Sequence, residues 1–426
     1  MIRFYNAKIA QFSEQKPFIV EGDLWTENER IRYVGPSGKQ ITPSFSREID
    51  CGGNLLLPGF KNAHAHTGMT FLRSHADELP LQHWLFDQVI PYENLLTEND
   101  IYTLVKLGIL EYLSSGITSA MDMYYFAEAA AQASVDCGFR MVISCGGSPL
   151  DRAVRQYDYF KHYHPLISYR LGVHSEYTEK REDLEAMASF AKARKEPFCL
   201  HLHETEKEVL DCVSRTGMRP LELLDRAGAF SFGGTGYHLI HLNDSDYDIL
   251  KNRHVYAVTC PSSNLKLSSG ICPVSSLLRK EIPVAIGTDG PASNNCLDMF
   301  REMFLVSGLQ RLTCGADACG AEDILTMACS TGAQAMYLDQ CDDLIAGNLA
   351  DIIMIDLSKP NMQPENDILR NVVFSGSKDN VCLTMIGGKI LYENGSYLIH
   401  DDPDRICRDA GAIIRRMENT LAKRPG

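Results

Sequence analysis

The sequence has little positive charge and no long apolar segment. Its 41 lysines and arginines are outnumbered by 55 aspartates and glutamates, which gives a net charge of -14. Binding to a phosphate backbone needs a basic surface, so we do not expect nucleic acid as a partner. No apolar run approaches the roughly 18–20 residues that span a bilayer, so we expect no membrane segment either.

The 14 cysteines include no Cys-x-x-Cys pair. Several of them, such as Cys145, Cys199 and Cys260, lie inside apolar runs, where thiols behave as small hydrophobic side chains. The amino terminus also lacks the charged and apolar regions of a signal peptide. Together these features predict reduced thiols and a cytoplasmic location.

The order of strand and helix patterns predicts the fold. With 426 residues, 45% of them hydrophobic, the chain can bury a large core. Over 58–342, buried strand patterns alternate with helical ones, which predicts a (β/α)8 barrel. Short alternating strands over 1–57 and 343–400 predict a small β-sandwich built from both termini, and 401–426 reads as a C-terminal helix. The predicted barrel strands are 57–66, 117–121, 140–145, 169–174, 197–203, 236–241, 254–260 and 283–289.

Polar side chains stand where four of these strands end, the place where barrel enzymes build their active sites. His64 and His66 are two residues apart on the first strand and project to one side. The fifth strand carries His201 and His203, followed by Glu204. The spacing does not decide which of the two histidines faces the site. We favour His201 and expect His203 either to lie behind the metal ligands and support them or to lie at the rim of the site.

The sixth strand offers His238, with His241 as its competitor, and the eighth ends at Asp289. Imidazoles and a carboxylate brought together bind a divalent cation and a water, which predicts a metal-dependent hydrolase. The donor set is compatible with zinc or Fe²⁺. The fourth strand ends at 172–176 without a lysine that could bridge two ions, so we expect one ion. For the same reason we disfavour a cyclic-amide hydrolase.

Longer motifs around these residues resemble the amidohydrolase superfamily and, within it, the S-adenosylhomocysteine/methylthioadenosine deaminase group. These motifs are PGFxNxHxH at 58–66, ADELPLxxWLF at 76–86, CPSSNLKLSSGICPV at 260–274 and GTDGPASNN at 287–295. The resemblance covers nearly the whole chain, including AGNLAD at 346–351.

The resemblance implies a division of roles among the site residues and a homo-oligomeric assembly. The implied ligands of one zinc ion are His64, His66, His201 and Asp289. The implied catalytic residues are Glu204, His238 and Asp289. The implied substrate contacts are Trp84, Glu93, Cys145, His174 and Glu204, with Glu93 directed towards the ribose hydroxyls.

The sequence departs from the group at the end of the third strand. Deaminases that accept the homocysteine conjugate carry an arginine there, whereas this chain has Cys145. A neutral thiol cannot replace a guanidinium that binds a carboxylate, although Arg152 or Arg155 could compensate. We therefore expect 5′-methylthioadenosine, 5′-deoxyadenosine or adenosine as the substrate, ahead of S-adenosylhomocysteine. The products would be the inosine analogue and ammonia.

Two other interpretations stay open. The same chemistry could act on another N-heterocycle, such as guanine, a pterin or an s-triazine. Trp84 and Glu93 favour a nucleoside, because a bare base has no ribose for Glu93 to hold. Alternatively, the chain could be a catalytically silent metal-binding protein. This is disfavoured because the ligands and the catalytic residues are all present.

Overall fold

The computed structural model describes residues 1–13, 16–38, 44–75, 77–79, 83–147 and 149–423. Positions 76 and 80–82 of the ADELPLxxWLF motif lie outside the described residues, as do 424–426 of the predicted C-terminal helix. The chain forms two compact units. Unit 1 comprises Met1–Asn62, Leu110–Ser119 and Asp298–His400. Unit 2 comprises Ala63–Ile109, Ala120–Leu297 and Asp401–Gly426.

The described chain contains two sheets. The strands of the first sheet are β1 (Ile2–Ser13), β2 (Lys16–Glu27), β3 (Arg30–Gly35), β4 (Arg47–Asp50), β5 (Leu55–Pro58), β14 (Ile352–Ile355), β15 (Val381–Ile386), β16 (Lys389–Glu393) and β17 (Ser396–Tyr397). The strands of the second are β6 (Phe60–Ala65), β7 (Ile117–Asp122), β8 (Arg140–Ser144), β9 (Ile167–Gly172), β10 (Phe198–Leu202), β11 (Gly234–His238), β12 (Val255–Thr259) and β13 (Val284–Ile286).

The first sheet belongs to unit 1 and is mixed. Its order is β17-β16-β15-β14-β5-β1-β2-β3, with β4 paired to β1. Strands from both ends of the chain meet where β5 pairs antiparallel with β14 and parallel with β1. Apolar side chains on one face form a buried cluster that includes Phe4, Leu24, Ile352 and Leu383. The two β-rich ends of the sequence therefore share one core, because neither end alone buries its apolar face.

The second sheet is the barrel, with its eight strands in sequence order from β6 to β13. The strand pairs from β8 to β13 are parallel. The eighth and first strands approach each other beyond β13, where the amide of Asp289 donates to the carbonyl of His64 at 3.0 Å. Strands buried on both faces, such as β10 and β13, are mostly apolar in sequence. The predicted fold class is confirmed, whereas the predicted domain boundaries stay a prediction.

Helices follow most barrel strands, and each strand–helix connection places a loop at the carboxyl end of the barrel. The α-helices are Ile90–Glu93, Glu98–Ser114, Ala127–Cys137, Leu150–Phe160, Arg181–Arg194, Glu206–Thr216, Pro220–Arg226, Asp244–Asn252, Pro261–Lys266, Val274–Arg279, Pro291–Asn294, Met299–Cys314, Ala321–Ala328, Ser330–Ala335, Ile368–Phe374 and Pro403–Leu421. The 3₁₀ helices are Thr67–Leu72, Pro360–Met362 and Lys378–Asn380, and Trp84–Val89 is a π-helix. In the part of the chain described, no helix has both the length and the apolar character needed to cross a membrane.

Four of the predicted barrel strands differ from the observed strands by two residues or more. The fourth is Ile167–Gly172 rather than 169–174, and the eighth is Val284–Ile286 rather than 283–289. The run 57–66 is divided at Gly59, so that β5 joins the first sheet and β6 begins the barrel. Periodicity within this run does not mark the break. The sixth strand begins at Gly234 and ends at His238 rather than covering 236–241. It ends there because His238 and Leu239 adopt φ of 75° and 47°, which a strand cannot continue through.

Candidate metal centre and active site

Three buried histidines from two barrel strands meet at one point in unit 2. His64 and His66 come from β6 and the residue after it, and His201 comes from β10. One ring nitrogen from each lies within 4.8 Å of the others. Alternation along β6 explains the first pair, because residues two apart face the same side of a strand.

Two of these rings are oriented by backbone carbonyls. Nδ1 of His66 hydrogen-bonds to the carbonyl of Met123. Nδ1 of His201 bonds at 2.7 Å to the carbonyl of His174. Each bond engages Nδ1, and the two Nε2 atoms lie 3.3 Å apart. Outer hydrogen bonds of this kind fix the tautomer and the direction of a metal-ligating imidazole.

Asp289 joins the histidine cluster from the loop after β13. Its Oδ1 lies 3.3 Å from Nε2 of His66 and 3.6 Å from Nε2 of His64. Oδ2 accepts a hydrogen bond from the hydroxyl of Ser263 and another, at 3.1 Å, from Ser293. Burial alone would raise the pKa of this carboxyl, but the neighbouring imidazoles of His64, His66 and His238 hold it well below its usual range.

The electrostatics of the cluster suit a cation. Burial lowers the pKa of His64 to about 3, and burial together with the neighbouring imidazoles lowers that of His201 well below its usual value. Neutral imidazoles are the form that binds metal. Among the described residues, neither ring nitrogen of His64 has a hydrogen-bond partner, although both are buried. Orphaned polar atoms at this depth are rare unless something binds them, so the donor set fits a divalent metal ion.

Glu204 and His238 flank the histidine cluster. Burial raises the pKa of Glu204, whose backbone amide donates to the Glu208 carboxylate at 2.8 Å. His238 is 1% exposed, and its Nδ1 bonds to Oδ1 of Asn264 at 2.8 Å. Burial lowers the pKa of His238, but the charges of Glu204 and Asp289 outweigh this and raise it. The pair combines a carboxyl whose pKa is raised by burial with an imidazole whose Nε2 lies opposite its anchored nitrogen.

His203 and His241 have different partners. His203 adopts φ 55° just after β10 ends, so the alternation that puts His201 in the site does not extend to it. Its Nδ1 lies 3.0 Å from the carbonyl of His241, and its Nε2 accepts from the amide of Leu221 at 3.2 Å. Nε2 of His241 bonds to the carbonyl of Ser269 at 2.9 Å. Both rings are held by the protein itself.

A cavity of about 420 Å³ opens over the cluster. This size lies within the range of about 300–1,000 Å³ that is usual for small-molecule sites. The predicted site residues that line it are His66, Trp84, Glu93, Cys145, His174, His201, Glu204, His238 and Asp289. The exposed Arg152 also lines the cavity, whereas Arg155 pairs with Asp151 at 2.8 Å on an exposed helix face.

Several residues that support the site were missed by sequence reasoning. Asn264, Ser263 and Ser293 bond to His238 and Asp289, and Tyr124 donates to Glu93 at 2.7 Å. The first three lie in the CPSSN and GTDGPASNN motifs, which indicated the resemblance but assigned these side chains no role. Tyr124 follows β7 by two residues and occurs in no motif, so nothing in the sequence alone marked it.

Comparison with known proteins identifies the family. The sequence pattern described as "Amidohydrolase family" matches residues 55–391. The chain belongs to this family. It is therefore a hydrolytic enzyme that acts on C–N bonds, as the sequence predicted.

Curated relatives resemble the chain over most of its length. A protein from Caldicellulosiruptor saccharolyticus named 5-methylthioadenosine/S-adenosylhomocysteine deaminase is 34% identical over 414 residues, covering 95% of this chain and 96% of its own. A protein of the same name from Acetivibrio thermocellus is 38% identical over 361 residues, covering 82% of this chain and 83% of its own. The resemblance predicted to this deaminase group is confirmed.

Solved structures share the architecture. An adenosine deaminase from Xanthomonas campestris with bound zinc superposes with a TM-score of 0.92 at 30% identity, covering 98% of both chains. An atrazine chlorohydrolase from Arthrobacter aurescens, complexed with zinc, has a TM-score of 0.90 at 22% identity, covering 97% of this chain and all of that one. At that lower identity the likeness shows the fold alone.

Proposed function

We propose that the chain is a zinc-dependent hydrolase that converts adenine nucleosides into inosine analogues and ammonia. One observation carries the proposal: His64, His66, His201 and Asp289 cluster together, and all of them except His64 line a cavity that Glu204 and His238 also line. Relatives named as deaminases of 5′-methylthioadenosine and S-adenosylhomocysteine, and a structure named adenosine deaminase, support the choice of substrate class.

His64, His66, His201 and Asp289 would hold the metal. Three imidazoles and one carboxylate are a common zinc set, and Fe²⁺ is also compatible with it. When bound, the ion supplies a nucleophilic water at neutral pH by lowering the pKa of that water from about 15.7 to about 7. The closed side of the cluster, where His64 is fully buried, would keep other waters away.

The chain's own groups would move the protons. Asp289 would accept a proton from the attacking water, since its lowered pKa leaves it ionised at neutral pH and therefore able to act as an acceptor. Glu204, whose pKa is raised by burial, would protonate the ring nitrogen beside the amine-bearing carbon. It would then assist proton delivery to the amine, whose bond to that carbon breaks as it leaves as ammonia. His238, anchored by Asn264, would use Nε2 to hydrogen-bond the attacking oxygen and stabilise the adduct.

Residues on the cavity wall would hold the nucleoside. Trp84 offers a flat apolar surface, and Glu93 an acceptor for the ribose hydroxyls. The hydroxyl of Tyr124 holds the Glu93 carboxylate in place. His174, whose carbonyl orients His201, also lines the cavity and would contact the heterocycle.

The wall near Cys145 favours an uncharged 5′ substituent. Cys145 is buried, and its neighbours Tyr169 and Gln156, joined by a 3.2 Å hydrogen bond, are neutral. Glu179 also lines this part of the cavity, with its carboxylate close to Gly147. A carboxylate tail would be repelled by Glu179 unless Arg152 compensated. We therefore propose 5′-methylthioadenosine, 5′-deoxyadenosine or adenosine ahead of S-adenosylhomocysteine.

A substrate panel tests both the proposed deamination of adenine nucleosides and the proposed preference for an uncharged 5′ substituent. Purified protein loaded with zinc would be assayed for ammonia release from adenine nucleosides with and without a carboxylate tail, and from guanine. Turnover of the uncharged nucleosides with a higher kcat/KM than S-adenosylhomocysteine is expected. A preference for S-adenosylhomocysteine would contradict the role given to Cys145. Turnover of guanine alone, or of none of these compounds, would contradict the nucleoside assignment.

A further inference from the structure

The three clustered histidines are not supported alike. His66 and His201 each direct Nδ1 to a backbone carbonyl. His64 has no such bond from either ring nitrogen among the described residues. A metal-ligating histidine almost always donates its second nitrogen to an acceptor that fixes the ring. Something other than a hydrogen bond must therefore hold the ring of His64.

The side chain that contacts the ring of His64 face to face is Tyr237. The two ring centroids are 3.9 Å apart and the ring planes differ by 20°, a stacked arrangement. Tyr237 is fully buried on β11, directly opposite His201 of β10 in the parallel register. Its ring also meets that of His201 edge-on, with the centroids 5.5 Å apart and the planes at 73°.

The far end of Tyr237 is anchored as well. Its hydroxyl lies 3.5 Å from the hydroxyl of Ser144 on β8 and hydrogen-bonds to the Cys199 side chain on β10. The tyrosine thus reaches across the barrel interior, with its ring under His64 and its hydroxyl tied to two other strands. Because its neighbours are close-packed, the ring has little freedom to tilt.

From this geometry we propose that Tyr237 is a positioning residue that replaces the missing hydrogen bond of His64 by stacking, and thereby sets the affinity for the metal. The inference rests on the proposed metal site. It differs from simple core packing in one respect: removal of the flat ring should weaken metal binding beyond any loss of stability. The phenol hydroxyl should matter much less than the ring.

Three substitutions separate these effects. Tyr237→Phe keeps the ring, whereas Tyr237→Leu and the better-filling Tyr237→Met remove it. Phe230→Leu is the matched control, because Phe230 is also buried and lies just before the opposite end of β11, against Phe198 and Gly234. Zinc affinity would be measured by competition with a chromophoric chelator, and the Co²⁺-substituted proteins would be compared by their visible d–d spectra.

We expect Tyr237→Leu and Tyr237→Met to bind zinc about 10- to 100-fold more weakly and to shift the Co²⁺ spectrum. Tyr237→Phe should bind zinc as wild type does, and Phe230→Leu should lower the unfolding midpoint with unchanged zinc affinity. If Tyr237→Leu does not fold, Tyr237→Met carries the test. If folded Tyr237→Leu or Tyr237→Met bound zinc as tightly as wild type and had the wild-type Co²⁺ spectrum, the role proposed for Tyr237 would be overturned, and the proposed function would stand. A wild-type protein that holds no metal would overturn the proposed function together with the role of Tyr237.

Discussion

Gly287 offers a sharp test of the site geometry, because it has no room for a side chain. A Cβ added there would lie 2.8 Å from Cβ of His64 and 2.9 Å from both its backbone nitrogen and its backbone oxygen. These atoms belong to the first barrel strand and cannot swing aside as the end of a long side chain can. Substitution Gly287→Ala must therefore push the two strands apart or move His64.

The expected cost has two parts. Overpacking of a tightly packed interior costs about 1–3 kcal/mol of unfolding free energy. Displacement of His64 should also weaken zinc binding by about tenfold or more, since ligand position controls affinity. Urea unfolding of the metal-free protein measures the first part, and chelator competition measures the second.

Gly308 provides the matched control. It lies inside the helix Met299–Cys314, and a Cβ there would meet nothing within 4 Å. Gly308→Ala should raise the unfolding free energy by about 0.5–1 kcal/mol through helix propensity and leave zinc binding unchanged. If Gly287→Ala matched wild type in both measurements, the close approach of Gly287 to His64 would be refuted.

Three further predictions concern catalysis, specificity and pH. Glu204→Gln should retain zinc but lose about 10²–10⁴-fold in kcat for ammonia release, and wild-type turnover would exclude Glu204 as the acid. Cys145→Arg, compared with Cys145→Ser, should raise kcat/KM for S-adenosylhomocysteine relative to 5′-methylthioadenosine by about tenfold or more, and an unchanged ratio would contradict the proposed tail site. Burial raises the pKa of Glu208 from 4.5 to about 7, so this group's contribution to stability is fully present below about pH 4.5 and is lost as the pH rises to about 7. Wild type should therefore lose up to about 3 kcal/mol relative to Glu208→Gln between about pH 4 and pH 8, at about 1.36 kcal/mol per pH unit, as measured by urea unfolding. If the difference in unfolding free energy between wild type and Glu208→Gln did not change with pH, the raised pKa of Glu208 would be refuted.

The barrel could be predicted because its signals are local. Strands buried on both faces are short, mostly apolar runs, so Phe198–Leu202 and Val255–Thr259 were predicted within a residue of their ends. Boundaries were wrong where the backbone changes direction inside a segment predicted as one strand. The division at Gly59 and the end of β11 at His238 depend on contacts and dihedral angles that composition does not record.

The choice between His201 and His203 shows the same limit. Both have the spacing of a same-face pair, and only the end of β10 at Leu202 separates them. After that point the positive φ of His203 turns its ring towards the amide of Leu221 and the carbonyl of His241. The alternation of side chains predicts which face of the sheet a residue lies on only within the strand itself.

The sequence alone therefore determined the barrel, the order of its strands and the kinds of side chain at their ends, because periodicity and residue type are properties of short segments. Only the tertiary structure decided which nitrogen of each histidine is anchored, that Tyr237 stacks under His64, and that Tyr124 holds Glu93. These contacts join residues that are far apart in the chain. Their geometry depends on how neighbouring strands pack, which no local pattern encodes.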